Sequence, residues 1–427
     1  MGPNREATRM NIYTPDRRAV LGGAVLAALS GAAQAATGGL RALSKAAGRI
    51  TVTGVESFDI QMPAPRGGKF VPTYQGLTPG RANVVKVTTS AGVTGYSFLG
   101  GGLGEAEAAR ALLTDADLFA VDVHLRRGLG PAVEEALWDA IGKIAGQPLC
   151  RLMGGARIER VPVYFTYVWT VPEDQVPPRE QGQQAARLRA AGFKAMKIQI
   201  MRQDYHGDVE AVREMLAQGG PGFRAMVDRT AGAKGLWTYD QSLEIARALQ
   251  SAGCYWLEEP LARDDYEGPA RLCQAVDMLV TGGEGWLGLG PFLKGLQMKT
   301  YDILQPEMRV CAGPLTMRKI GALCEAFGTP IAPHAATGLA LAGRLQVSAA
   351  MGSVYQEVGT FQPDTMPADV NAPYLPILHG EQPFLFENGE AVVPQYPGLG
   401  LNVDQRAVEK FRVAGFERRD AKGLADH

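Results

Sequence analysis

The chain has 427 residues, with 43 Lys or Arg against 44 Asp or Glu, so its formal net charge is −1 at neutral pH. That length allows a large core and more than one domain. The balanced charge gives no support for a nucleic-acid partner or for binding to an anionic membrane surface. The five cysteines include no C-x-x-C pair, so we interpret them as buried structural thiols rather than a disulfide framework.

Residues 1–36 predict a signal peptide of the twin-arginine type. Arg17 and Arg18 precede an Ala-, Leu- and Gly-rich run, and the small residues at 33–35 suit a signal peptidase. The apolar run is too short to predict a stable membrane span. The alternative is a disordered N-terminal tail. We therefore expect export of the mature protein to the periplasm.

Residues 49–160 predict a small α+β domain, because alternating strand patterns are followed by helical ones. The predicted strands and the clearest helix lie at 50–60, 84–89, 93–97 and 133–145. A Gly- and Pro-rich loop at 62–80 separates the first two strands, and long loops of this kind are often functional. Arg66, Lys69 and Tyr74 on this loop could contact an anionic substrate, although a merely solvated loop is an equal alternative.

From 161 to 375 the sequence repeats the pattern of apolar strand, loop and amphipathic helix. The predicted strands are 163–165, 195–200, 225–228, 254–258, 278–281, 303–305, 330–332 and 354–356. Eight alternating units predict a (β/α)8 barrel of the α/β class. Residues 376–427 are expected to form strands and loops that pack back on the first domain.

Three acidic residues stand at or just after the carboxyl ends of successive predicted strands, namely Asp228, Glu258 and Glu284. Active sites of β/α barrels lie at these strand ends. Successive side chains of a strand point to opposite faces, so only one of Glu258 and Glu259 can face the barrel interior. Three carboxylates make an all-oxygen site suited to Mg2+, whereas the alternative for each acid is a solvated loop position.

Other polar side chains also end predicted barrel strands. They are Lys197, Gln199, Glu307, His334 and Glu357. Lys197 and Gln199 alternate along one strand and therefore share its inward face. We treat this group as the candidate site.

With these residues in view, the chain resembles members of the enolase superfamily of the mandelate racemase and muconate lactonizing enzyme type. The segments that carry the resemblance are 134–154, 192–197, 257–260, 282–284, 302–307, 333–334 and 397–400. The resemblance implies a (β/α)8 barrel with an N-terminal α+β capping domain that the C-terminal segment completes. It also implies a homo-oligomer, either a dimer or an octamer.

The resemblance implies a shared half-reaction on a small-molecule carboxylate. A base removes the proton α to the carboxylate, and Mg2+ binds the resulting enediolate. The positions that match the family's ligands are Asp228, Glu258 and Glu284, with Glu258 preferred to Glu259.

The remaining family roles are assigned by the same resemblance. His334 would be the base or acid of the seventh strand. Glu307 stands where the family has an Asp that orients this histidine, and it is longer by one methylene. Glu357 matches an acid of the eighth strand that, when protonated, can hydrogen-bond the substrate carboxylate.

The second barrel strand departs from the family pattern. Racemases and cycloisomerases of this type show Lys-x-Lys, whereas this chain has Lys197-Ile198-Gln199. Gln199 has no useful proton-transfer pKa, so we expect it to contact substrate and Lys197 to bind the carboxylate or tune its partner. A second departure follows Asp228, where Arg229-Thr230 replaces Ala-Asn.

Loss of the second lysine favours dehydration over racemisation. A single base, His334, can remove the α-proton and then, as the conjugate acid, assist departure of a β-hydroxyl on the same face. We therefore expect a dehydratase of a hydroxy acid, particularly a sugar acid. The alternatives are a racemase or epimerase, using Lys197 or the loop residues Arg202, Tyr205 or His206 as second base, and a non-catalytic exported binding protein.

Overall fold

The computed structural model describes residues 48–63, 80–100, 102–167, 169, 171–232, 235–334, 338–360, 372–380 and 383–413. The predicted signal peptide and the loop residues Arg66, Lys69 and Tyr74 lie outside this set, so export and their substrate contacts stay predictions. Across the described part of the chain, no helix combines the length and the apolar character that a membrane crossing requires.

The N-terminal part begins with a three-stranded antiparallel sheet in the order β1-β2-β3. Its strands and the four helices that follow are β1 Val52–Gln61, β2 Arg81–Thr89, β3 Thr94–Ser97, α1 Gly102–Leu113, α2 Val121–Arg126, α3 Pro131–Ala145 and α4 Leu149–Leu152. The three strand predictions and the long helix are confirmed. Helix α3 begins two residues earlier than predicted because a proline, Pro131, occupies its first position, where no backbone donor is needed.

The barrel follows as parallel strands alternating with helices. The strands are β4 Arg160–Tyr167, β5 Ala195–Gln199, β6 Arg224–Asp228, β7 Trp256–Glu258, β8 Leu279–Gly282, β9 Ile303–Leu304 and β10 Gln356–Thr360. The helices are α5 Pro178–Ala190, α6 His206–Gly219, α7 Tyr239–Ser251, α8 Glu267–Ala275, α9 Gly290–Met298, α10 Pro314–Phe327 and α11 Leu341–Met351. Strands β4 to β9 pair in chain order, and β10 pairs with β4 in parallel.

The seventh predicted strand, 330–332, is reduced to one bridge between Leu304 and Ile331. Two prolines flank Ile331, and proline cannot donate to a strand ladder, which limits the pairing here. The backbone N–H of Val354 then donates to Ile331 O at 2.9 Å and continues the hydrogen bonding towards β10. The eighth strand lies at Gln356–Thr360 rather than at 354–356, so that prediction was displaced by two residues at its start.

A layer of apolar side chains fills the barrel interior beneath the candidate site. It consists of Tyr164, Ala195, Met226, Trp256, Ile303, Ala332 and Tyr355. Inward positions recur every two residues along a strand, so the next layer holds Lys197, Asp228, Glu258 and Glu357. The charged layer therefore lies directly on an apolar floor, at the carboxyl ends of the strands.

The end of the chain returns to the N-terminal sheet. After the hairpin β11 Phe386–Glu387 and β12 Glu390–Val392, which pairs with β4, helix α12 spans Gln405–Lys410. The N–H of Gln61 then donates to Phe411 O at 3.0 Å. The C-terminal segment thus extends the hydrogen bonding of β1, as the predicted fold class requires.

Helix α3 connects the N-terminal part to the barrel through buried acidic side chains. Glu134 Oε1 accepts hydrogen bonds from Leu315 N, in the first turn of α10, at 2.8 Å and from Trp138 Nε1 at 2.9 Å. Asp139 accepts from Tyr96 N at 2.8 Å and from Leu399 N at 3.0 Å. These acids supply acceptors that α10, β3 and the C-terminal return would otherwise lack.

Burial raises the pKa of Glu134 to about 8 from its ordinary 4.5. The folded protein therefore holds a proton between these pH values that the unfolded chain releases, and the free energy of unfolding falls as pH rises through this range. We predict that Glu134→Gln, which keeps the accepting oxygen, becomes increasingly stable relative to wild type as pH rises from 5 to 8.5. The measurement is the difference in melting temperature, with exposed Glu107→Gln as control. A pH-independent difference would contradict the assignment.

Candidate active site

Lys197 lies at the centre of the charged layer. Its side chain is 1% exposed, and Nζ lies 2.8 Å from Glu258 Oε2, 3.0 Å from Glu357 Oε1 and 3.5 Å from Asp228 Oδ2. Burial alone would lower the pKa of Lys197, but these carboxylates outweigh it and hold the pKa well above its ordinary value. The ammonium group is therefore charged and engaged on all three sides by acids.

Of the two adjacent glutamates, Glu258 is the one in the interior. Besides Lys197, its Oε2 accepts from Gln305 Nε2 at 2.8 Å, while its buried Oε1 has no hydrogen-bond partner among the residues that the structure describes. Glu259 has a positive φ of 45°, which ends the alternation of the strand, and its carboxylate accepts from Arg263 at 2.8 to 3.1 Å. The structure thus places Glu258 in the interior, as only one of the two could be, while its preference as a metal ligand stays a prediction.

Glu284 is held between two cations. Arg263 Nη2 contacts its Oε1, and His334 Nε2 lies 3.0 Å from its Oε2. Burial is the main cause that raises the pKa of Glu284, and the charge of Asp228 adds to it. The contact of Glu284 with His334 was not anticipated, and the ligand set of Asp228, Glu258 and Glu284 stays a prediction.

Glu307 pairs with His334 despite its extra methylene. His334 Nδ1 lies 3.1 Å from Glu307 Oε2, while Arg344 Nη2 contacts Glu307 Oε1. Burial raises the pKa of Glu307, but Arg344 and His334 outweigh it and leave the pKa below its ordinary value. For His334, burial acts in the other direction and lowers the pKa, but the charges of Glu284, Glu307 and Glu357 outweigh it and raise the pKa to about 10. The histidine is thus oriented by a carboxylate and made more basic.

Glu357 is fixed as a hydrogen-bond acceptor. Tyr164 Oη donates to its Oε2 at 3.0 Å, and Thr166 Oγ1 and Lys197 both contact its Oε1. Burial raises the pKa of Glu357, but Lys197 and His334 outweigh it and lower the pKa to about 2. This arrangement therefore does not favour a protonated Glu357 that donates a hydrogen bond to the substrate carboxylate. Glu357 instead holds Lys197 in place.

The other residues considered for the site are distributed as follows. Gln199 ends β5 opposite Asp228 in the ladder. Arg202 forms an ion pair with Asp208 and donates to carbonyl oxygens of the neighbouring loop and helix. Tyr205 and His206, which were predicted on a loop, lie at the start of α6; they bond Glu244 and Asp204 respectively, and the His206 side chain is 73% exposed. Arg202, Tyr205 and His206 therefore do not point to the carboxylate cluster.

Three contributors were missed by sequence analysis. Gln305 follows Ile303 at the inward spacing, so its contact with Glu258 was accessible from alternation alone. Tyr164 belongs to a predicted strand, but its hydroxyl reaches the charged layer from the apolar floor. Arg344 is the lone charged residue of the buried helix α11, and a single charge in an apolar helix could have been noticed in the sequence. Its partner could not, because Glu307 lies 37 residues away.

The donor set fits a hard divalent cation such as Mg2+. Asp228, Glu258 and Glu284 supply carboxylate oxygens, and Glu258 Oε1 is a buried acceptor without a partner. Burial raises the pKa of Glu258 well above its ordinary value, and the charges of Asp228 and Glu284 raise it further. The described residues contain no group of three or more His, Cys, Asp or Glu side chains already arranged around a metal position. Here the acids contact Lys197, Arg263 and His334 instead.

Comparison with known proteins identifies the family. The model of the enolase C-terminal domain-like family matches residues 180–407, and the chain belongs to the enolase superfamily. The fold agrees with this assignment: the structure of a racemase from Streptomyces coelicolor with bound magnesium superposes with a TM-score of 0.67 at 24% identity, covering 85% of this chain and 100% of that one.

Two relatives are particularly informative. The chain is 28% identical to the arabinonate dehydratase of Saccharolobus solfataricus over 67% of its own length and 74% of the relative's. It is 31% identical to the D-galactarolactone cycloisomerase of Agrobacterium fabrum over 66% of its length and 73% of the relative's. The predictions of an enolase-superfamily barrel and of an enzyme are thereby confirmed, and a non-catalytic binding protein is not supported.

We predict that Lys197→Met strongly destabilises the metal-free protein, because it leaves Glu258, Glu357 and Asp228 buried without their shared cation. Removing one partner of a buried ion pair costs about 3–5 kcal/mol of unfolding free energy. The measurement is urea unfolding at neutral pH. Lys86→Met, which breaks the more exposed pair with Glu409, is the control and should cost at most about 1 kcal/mol. Equal losses in the two variants would argue against the central role of Lys197.

Proposed function

We propose that this protein is an Mg2+-dependent dehydratase of a hydroxy acid, specifically a sugar acid. It would remove the proton α to the carboxylate and expel the β-hydroxyl, and the enol product would tautomerise to a 2-keto acid. The proposal rests on one observation, the engagement of Lys197 by three carboxylates.

Racemisation requires proton transfer on both faces of the substrate. Lys197 is the residue of β5 that could serve the second face, because Gln199 has no suitable pKa. Its N–H donors point to Glu258, Glu357 and Asp228, and its pKa is held well above the ordinary value, so it retains its proton. This leaves the proton chemistry of the proposed reaction to the opposite side, where His334 lies.

His334 has the features of a single base that later acts as an acid. Its Nδ1 faces Glu307, which favours a proton on that nitrogen. Its Nε2 contacts Glu284 Oε2 at 3.0 Å, and Glu284 would release Nε2 for the substrate when its carboxylate binds Mg2+ instead. Nε2 would take the α-proton and then deliver it to the departing hydroxyl on the same face. Glu307 stabilises the imidazolium between these two steps, because its pKa is low and it carries a negative charge.

Asp228, Glu258 and Glu284 would hold the Mg2+. When bound, the ion would stabilise the negative charge that develops on the substrate carboxylate. The unpartnered Glu258 Oε1 supports this assignment, and the similarly folded racemase of Streptomyces coelicolor has magnesium bound. Lys197 would then keep Glu258 and Glu357 correctly oriented rather than transfer protons.

The sugar-acid class is supported by the relatives. One is an arabinonate dehydratase, which matches the proposed reaction type. An isomerase is the second candidate, because a D-galactarolactone cycloisomerase matches at slightly higher identity. The two candidates differ in outcome: the dehydratase yields a 2-keto acid, whereas a racemase or epimerase incorporates solvent deuterium at the α-carbon with inversion.

The first test is a screen of the protein with Mg2+ against a library of mono- and diacid sugars, with 2-keto acid trapped as its semicarbazone. We expect turnover of at least one acid that is abolished by EDTA and by His334→Asn. The exposed His379→Asn is the matched control and should stay active. Inverting deuterium exchange without a keto acid would instead support the isomerase.

A second test separates the adjacent glutamates. Glu258→Gln should lose Mg2+ binding and all turnover, because an amide oxygen is a weaker and uncharged ligand. Glu259→Gln should bind Mg2+ much more tightly than Glu258→Gln, since Glu259 contacts Arg263. Isothermal titration calorimetry with Mg2+ measures both. Unchanged affinity in Glu258→Gln would remove this residue from the ligand set.

A further inference from the structure

Arg344 is a charged residue in a helix that is otherwise apolar or neutral and buried throughout. Every residue of α11 is buried, and Arg344 is 5% exposed. A guanidinium in such a place is costly unless an acid pairs with it. Its Nη2 contacts Glu307 Oε1, and its Nη1 donates to Ala340 O at 3.4 Å, while its Nε has no hydrogen-bond partner within the described part of the chain. Glu307 is therefore the acid that Arg344 directly contacts.

Arg344 and His334 bind the two oxygens of the same carboxylate. Glu307 Oε1 also accepts from Arg309 N at 3.0 Å, which leaves Oε2 to face His334 Nδ1. A glutamate has one more rotatable bond than an aspartate, and hence more freedom to turn away from its partner. The contacts at Oε1 remove that freedom.

Helix α3 of the N-terminal part lies close to Arg344. Burial raises the pKa of Glu135 on this helix to about 7, the charge of Arg344 opposes that rise, and Glu135 Oε2 accepts from Ser97 Oγ. The adjacent Gly343 packs so closely that a Cβ there would lie 2.0 Å from Glu135 Oε1. Helix α11 thus approaches α3 at the turn that carries Arg344.

We propose that Arg344 is a positioning residue of the active site, which fixes the carboxylate of Glu307 and through it the orientation of His334. This inference rests on the proposed function for its catalytic consequence, but its structural part does not. Arg344 acts through Glu307 and has no assigned contact with substrate or metal.

The kinetic test compares Arg344→Met, which removes the charge, with Arg344→Lys, which keeps it. On the acid found by the screen, Arg344→Met should lower kcat by about 10–100-fold, as expected for a group that orients a reacting residue, with KM little changed. Arg344→Lys should recover most of this loss. In a Glu307→Gln background the further change to Met should have almost no effect. A failure of Lys to recover activity, or additive losses, would overturn the proposal.

A spectroscopic test does not depend on turnover. In protein labelled with 15N-histidine, the His334 Nδ1–H should exchange slowly with water because it is held by Glu307; its signal is assigned by its absence from His334→Asn. It should persist in Arg344→Lys and be lost in Arg344→Met. Persistence in Arg344→Met would overturn the proposal. If wild type turned over no acid, the proposed function would fail while this measurement still decided the role of Arg344.

The melting temperature of each variant is measured as the control for correct folding. Lys143→Met, which breaks the pair of Lys143 with Asp139 outside the site, should leave kcat and the His334 signal unchanged. If Arg344→Met does not fold, Arg344→Gln replaces it in both tests, because it keeps polar donors while removing the charge.

Discussion

Burying several carboxylates on the apolar floor of a barrel is costly unless a cation lies among them. Lys197 is that cation in this structure, since it contacts acids from β6, β7 and β10 at once. Its ammonium group links β10 to β6 and β7, which precede it by about 100 residues or more in the chain. Glu258 and Glu357 both contact it, so their positions depend on it.

The same contacts connect stability to the choice of reaction. A lysine that neutralises three acids is poorly suited to lose its proton, so the requirement for a stable interior removes a candidate base. His334 also contacts acids, with Glu307 at Nδ1 and Glu284 at Nε2, but its side chain is more exposed than that of Lys197. The two residues therefore differ in exposure, and in the proposed dehydratase His334 rather than Lys197 would carry the proton.

Much of the fold followed from the sequence, because alternation and the βα repeat are local properties. Alternation placed Lys197, Asp228 and Glu258 on inward faces, and the structure brings them together. What could not be predicted depends on contacts distant in sequence. Tyr164 and Thr166 make Glu357 an acceptor, and Arg344 reaches Glu307 from another helix. The seventh strand is shorter than predicted, because the apolar pattern of its sequence does not show how strongly its prolines limit pairing.

Helix α3 has an implication for how the molecule could evolve. Its buried acids accept hydrogen bonds from the backbone of the first sheet, of α10 and of the C-terminal return, and residues 50–427 cluster as one compact unit. Exchange of the N-terminal part for that of a relative would leave these backbone donors without acceptors unless the same acids came with it. Recombination that alters substrate preference is therefore more easily tolerated within the loops than at the boundary between the sheet and the barrel.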